Sequence, residues 1–163
     1  MHNSLATMVN SKNKIKEGKP NYFLSILGNR CSRCRTGKMF KNPLSPGIKK
    51  NMEMHENCPI CGQPMQLEVG FYYGTGYVSY ALTVAISVAI FIAYWVLIGI
   101  SIHDNSLYYY LAVNVLLLLI FQPYLMRLSR AIWLSFFVKY DPEWQEHEVE
   151  KPERIVDEQM NNW

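Results

Sequence analysis

Between Tyr77 and Met126 the chain carries one charged side chain, Asp104, whereas the 113 residues outside this window carry the other 28. Val78 to Ile102 is a run of 25 uncharged residues, and Leu107 to Met126 adds 20 more. A bilayer core is crossed by about 20 residues of helix. In hydrocarbon every backbone polar group must be satisfied within the segment, so each run is expected to be helical. The break between them, His103-Asp104-Asn105-Ser106, is four residues long. A turn that short forces the two helices to run antiparallel. The sequence therefore predicts a transmembrane α-helical hairpin over 71–126, with spans at about 78–102 and 107–126. Residues 71–80 hold four tyrosines and a phenylalanine. Such rings suit headgroup depth, with one end apolar and the other wet.

The polar flanks differ in sign. Residues 1–76 carry eleven Lys/Arg against four Asp/Glu, and residues 141–163 carry eight acidic residues against Lys151 and Arg154. The hairpin turn has no Lys or Arg while both flanks do. By the positive-inside rule both termini lie in the cytoplasm and the turn lies outside. The basic flank is matched to anionic headgroups, so the bilayer is its expected partner and no specific nucleic acid is expected. Residues 1–21 read as a disordered basic tail. Tyr22 to Leu27 is too short for a secretory signal and reads as a short helix on the membrane or against the adjoining domain. Arg127 and Arg130 share a helical face, and Ala131 to Val138 is apolar with three aromatic residues. Residues 127–140 are thus expected to form an interfacial helix, and 141–163 an acidic, disordered tail.

All four cysteines occur as two Cys-x-x-Cys pairs, Cys31/Cys34 and Cys58/Cys61, with 23 residues between the pairs. Each pair can supply two thiolates to a tetrahedral ion from one tight turn. The spacing exceeds the usual zinc-ribbon range of about 15 to 20, but loop closure depends only logarithmically on length. A cytoplasmic site is reducing, which favours metal over disulfides; an inverted topology would favour two disulfides. Zinc is the expected ion, with iron in a rubredoxin-like site as the alternative. Gly37 and Gly62 are placed to turn the backbone so that N–H groups face the sulfurs. Arg30, Arg33, Arg35 and Lys38 would offset the double negative charge of four thiolates on a divalent ion. His55 reads as a surface histidine. Residues 22–70 are therefore expected to be a small zinc-ribbon-like β domain, held together by its metal. Thiol redox chemistry would use the same Cys-x-x-Cys pairs, but it usually accompanies a βαβ context that is not evident here.

No catalytic constellation emerges. Four protein ligands close a metal site, which makes it structural. Gly74-Thr75-Gly76 lacks the third glycine and preceding strand of a nucleotide fingerprint, and reads as a joint or a close helix contact. An enzyme acting on lipid or quinone would need acid–base groups at membrane depth, where Asn114 and Gln122 are the evident polar residues. Asn114 is expected to seek a hydrogen-bond partner on a facing helix. Pro123 is expected to kink the second span. Arg127 and Arg130 could hold a phosphate, but snorkelling to headgroups is the expected explanation.

The order of Cys-Ser-Arg-Cys-Arg-Thr-Gly-Lys-Met-Phe (31–40), His-Glu-Asn-Cys-Pro-Ile-Cys-Gly (55–62), Gly-Phe-Tyr-Tyr-Gly (70–74) and two spans resembles the bacterial membrane family known as domain of unknown function 983, in a Bacteroidota-like form, over roughly residues 22–140. The resemblance implies a multi-pass protein of the bacterial inner membrane, with Cys31, Cys34, Cys58 and Cys61 as ligand positions. It implies no activity. Some relatives are encoded beside cytochrome oxidase genes, which makes respiratory-complex assembly one expected role. A membrane-anchored zinc-ribbon adaptor, working with a protein partner or as a homo-oligomer, is the expectation from the residues themselves.

Overall fold

The computed structural model describes residues 20–45, 47–99 and 105–149. Residues 1–19 of the expected basic tail, 100–104 of the hairpin and 150–163 of the acidic tail lie outside the described residues. The elements in order are α1 (Tyr22–Leu27), α2 (Ile48–Met52), a 3-10 turn (Phe71–Gly74), α3 (Thr75–Leu97) and α4 (Ser106–Phe137).

The segments Phe71–Leu97 and Ser106–Phe137 are long and apolar enough to cross a membrane. α3 has no buried residue, as expected of a helix whose outer surface meets hydrocarbon. It packs along α4. Tyr110 Oη donates to the Ser87 carbonyl at 3.3 Å, and the Phe91 and Tyr110 rings meet edge-on at 5.4 Å. α3 ends at Leu97, not at Ile102 as the uncharged run suggested, because Gly99 takes φ +83°. The Gly99 N–H then closes the helix on the Trp95 carbonyl at 3.1 Å. A left-handed residue at this place satisfies end carbonyls that would otherwise be orphaned.

α4 decides the architecture. Its 32 residues give about 48 Å at 1.5 Å per residue, against a hydrocarbon core of about 30 Å. The helix runs through Pro123 without a break. The stretch expected to continue as an interfacial helix over 127–140 is helical to Phe137, as the last three turns of α4. Leu107, Leu111, Val115, Leu116, Leu119, Ile120 and Phe121 are exposed, whereas Leu125, Arg127, Leu128, Ser129, Ala131 and Leu134 are buried. The apolar Ala131–Leu134 stretch meets protein and not a lipid boundary. Only Phe136 and Phe137 near its end remain outward.

Residues 22–70 and 138–149 wrap this end of α4 as a small head. One core holds Cys31, Cys34, Met39, Phe40, Cys58, Cys61, Met65 and Phe71 together with Ala131 and Leu134 of α4. The expected β domain is not observed. Among the described residues there is no strand, only the isolated antiparallel bridges Arg30–Lys38, Phe40–Met54 and Asn57–Pro64. Backbone groups near the cysteines close turns instead of ladders: Cys31 N–H donates to the Gly37 carbonyl and Cys58 N–H to that of Gln63, both at 2.8 Å. Pro64 has no N–H with which to extend its bridge.

The acidic tail also differs from expectation over residues 141–149, which fold back on the first cysteine turn. Arg33 Nη2 donates to Asp141 Oδ2 at 3.3 Å and to the His147 carbonyl at 2.8 Å. Asp141 N–H donates in return to the Arg33 carbonyl at 3.1 Å. Trp144 packs partly buried against the cysteine core. A buried guanidinium needs acceptors; this segment supplies them to Nη2, while Nη1 is buried without a partner.

Candidate metal centre

Two knuckles bring the four cysteines together. In each, the N–H following the second cysteine closes on the carbonyl of the first: Arg35 on Cys31 at 2.8 Å, and Gly62 on Cys58 at 2.9 Å. Both closing residues have positive φ, +55° at Arg35 and +72° at Gly62. Glycine takes this conformation without penalty and arginine does not. The role expected of Gly62 is thus observed, but in the first knuckle the left-handed residue is Arg35. Gly37 serves space instead: a Cβ there would collide with Cys58 Sγ. Its N–H still faces Cys34 Sγ at 3.4 Å, and the N–H groups of Cys61 and Gln63 face the sulfurs of Cys58 and Cys61.

All four sulfurs lie within 4.8 Å of one another, and all four residues are buried. Between the knuckles, the Cys31 and Cys61 sulfurs stand 3.7 Å apart and those of Cys34 and Cys58 3.8 Å. Sulfurs at about 2.3 Å from a tetrahedral ion stand about 3.8 Å apart by geometry. The cysteines are free, not disulfide-bonded. Electrostatics favours the same conclusion. Cys34 is held well below the usual thiol range, by the Cys31 thiol first and then by those of Cys58 and Cys61, which outweigh burial. Cys31 is pushed well above that range by its bonds to Cys34, Cys58 and Cys61, with burial adding to them. Cys58 is lowered as well and Cys61 raised, so the thiols divide between the two directions and four thiolates together would call for a cation. The donor set, its spacing and its electrostatics all fit a metal ion. His55 is not among the clustered ligands.

The arginines expected near the sulfurs go elsewhere. Arg33 binds the 141–149 segment, Arg30 Nη1 donates to the Thr36 carbonyl at 2.7 Å, and Arg35 Nη1 to that of Pro20 at 3.1 Å. Arg127 and Arg130 do not snorkel. Arg127 is buried, donates to the carbonyls of Asn51 at 2.8 Å and Pro43 at 3.0 Å, and lies over the Phe40 ring. Arg130 donates to the Met52 carbonyl at 3.3 Å and lies over Tyr72. These two side chains clamp the head to α4. Asn51, which the sequence did not single out, completes the clamp by donating from Nδ2 to the Pro123 carbonyl at 2.8 Å. Asn114 Oδ1 is buried without a hydrogen-bond partner, and Gln122 is exposed. Neither joins a catalytic grouping. Gly74 is a close helix contact, since a Cβ there would enter the Trp133 ring. Trp133 Nε1 fixes that contact by donating to the Phe71 carbonyl at 2.8 Å.

No curated protein and no solved structure matches the chain. A family model, described as a protein of unknown function (DUF983), matches residues 48–137. That range takes in α2, the second knuckle, both long helices and the clamp side chains Asn51, Arg127 and Arg130, but not Pro43, Cys31 or Cys34. It is narrower than the 22–140 of the sequence resemblance, and it covers more than half of the chain. The chain belongs to the DUF983 family.

Proposed function

We propose that the chain is a membrane-anchored scaffold whose head is stiffened by a structural zinc ion. The observation that carries this reading is the closed set of four buried cysteine sulfurs, all within 4.8 Å. Four protein ligands leave no open position for a substrate. The metal acts as a cross-link for a head with few apolar residues and no sheet. Tetrahedral thiolates suit zinc and iron alike; zinc is the ion this reading takes, and elemental analysis separates the two. The charge asymmetry supports a cytoplasmic head at a bacterial inner membrane. Exposed Phe23, Leu24 and Leu27 on α1 support its lying close to the lipid, because Tyr124 of α4 donates to the Leu27 carbonyl at 2.9 Å. A rigid head of this kind suits presentation of a surface to a protein partner or to a second copy of the chain.

Elemental analysis with thiol titration tests the centre. The expected result is one zinc per chain, and four thiols that react with a maleimide only after chelation. Two disulfides, or four thiols open to the reagent without chelator, would contradict the reading. The topology has its own test. Asn105→Cys should be labelled by an impermeant reagent from outside intact cells; labelling only after lysis would invert the orientation.

A further inference from the structure

Beside the first knuckle is a cleft of about 210 Å³ that no metal ligand lines. It forms where α1, the residues following the knuckle cysteines and the exit of α4 meet. Its chemistry is one-sided. Arg30, Arg35 and Lys139 line it together with Ser32 and Tyr140, and no carboxylate does. The neighbouring Asp141 is engaged by Arg33 and His147. Among the described residues the remaining ion pair is Lys41–Glu53, so no described carboxylate pairs with any of the three cations at the cleft. Ser32 Oγ is buried without a hydrogen-bond partner.

Arg35 adds a second line of argument. It occupies the left-handed position that Gly62 fills without strain in the other knuckle. A side chain kept at such a position, where glycine serves equally, points to a use for the side chain. Its guanidinium lies 3.9 Å from the Tyr140 ring centroid and 5.2 Å from that of Tyr22, held over the cleft rather than over the sulfurs. One of its nitrogens is spent on the Pro20 carbonyl, which leaves further N–H groups to donate.

We propose that this cleft binds a phosphate-bearing anion. Three cations lining one cleft with no described carboxylate among them, and with N–H groups to spare beyond the bonds already made, suit a phosphate group. The volume lies below the about 300–1,000 Å³ of drug-sized sites, which suits a headgroup or a small phosphate. The anion ties α1, the first knuckle and the end of α4 together. Its source is either a lipid headgroup or a soluble phosphate.

The test uses the full, metal-loaded chain. In one arm, protein in phosphatidylcholine nanodiscs is titrated with inorganic phosphate and pyrophosphate by calorimetry. In the other, native mass spectrometry counts phosphatidylglycerol adducts against phosphatidylcholine adducts. Saturable one-to-one binding is expected in at least one arm. It should weaken about tenfold or more in Arg35→Gly and in Lys139→Gln, each a loss of a charge-assisted contact. Arg35→Gly relieves the backbone strain, and Lys139 is exposed, so both variants should keep one metal per chain. Binding in the first arm assigns a soluble phosphate, and selective retention in the second assigns a headgroup. Absence of saturable binding in both arms overturns the proposal, including where the chain's own acidic residues beyond Val149 fill the cleft. Binding that both metal-loaded variants leave unchanged overturns it too.

Discussion

A methyl group at Gly37 would strike Cys58 Sγ, so one hydrogen atom separates a four-sulfur cluster from a three-sulfur one. Gly37→Ala is expected to displace Cys58, to destabilise the head by about 1–3 kcal/mol through overpacking, and to weaken metal retention. Competition with a chromogenic chelator would show it; wild-type retention would mean that the knuckles can separate without loss. At Asp141, burial opposes ionisation, but His147, the Glu143 N–H and Arg33 outweigh it and hold the carboxyl below its usual range. A group whose pKa is depressed on folding contributes stability above its unfolded value, about 3.9, and loses it as pH falls through the folded value. The 141–149 segment should therefore stay docked at neutral pH and release only in acid below that range, while Asp141→Asn should loosen it at neutral pH. Trp144 emission, isolated by comparison with Trp144→Phe, reads the release; an equal red shift in wild type at neutral pH would count against the clamp. The four cysteines that cluster were legible because Cys-x-x-Cys spacing is a local property. The left-handed Arg35 and the spatial role of Gly37 were not, since both depend on how one knuckle faces the other.

α4 serves two environments in succession. Its first half exposes aliphatic side chains and its second half buries them under the head, with the change near Pro123. Arg127 holds two backbone carbonyls that have no other means of reaching across to the helix. Arg127→Met keeps the stem but leaves those acceptors unpaired, at about 1–3 kcal/mol for a buried group. Head stability, followed by hydrogen exchange at 39–54, should fall while exchange within α3 stays unchanged; equal loosening of α3 would show that clamp and hairpin are one cooperative unit. Both long apolar segments could be read in the sequence, because absence of charge over some 20 residues is a property of run length alone, and that length suffices to cross a bilayer. The fate of residues 127–137 could not. An amphipathic stretch after a membrane span has the same pattern whether its apolar face meets lipid or protein, and only the packed head distinguishes them.

For the whole molecule, metal and bilayer are expected to hold different parts, joined by one helix. Chelation should expose all four thiols, release α1 and the 141–149 segment, and leave the hairpin inserted, because span stability rests on backbone satisfaction in lipid and not on the ion. Helical signal should fall only by the share in α1, α2 and the end of α4, as circular dichroism in nanodiscs can measure. Extraction of the chain from the membrane by chelator would refute the separation. Acidification should act in the same direction as chelation, since ligation requires thiolates and protons compete for them. The sequence by itself determined the four cysteines that could hold a metal, the two apolar segments and their antiparallel return. Each of these follows from local chemistry or from run length against the thickness of a bilayer. The tertiary structure alone decided that the head has no sheet, that its core is completed by Ala131 and Leu134 of the second long helix, and that Arg127 and Asn51 fasten the two. The physical reason is that a head so poor in apolar residues cannot close a core alone, and α4, about 18 Å longer than a bilayer core is thick, is the surface at hand.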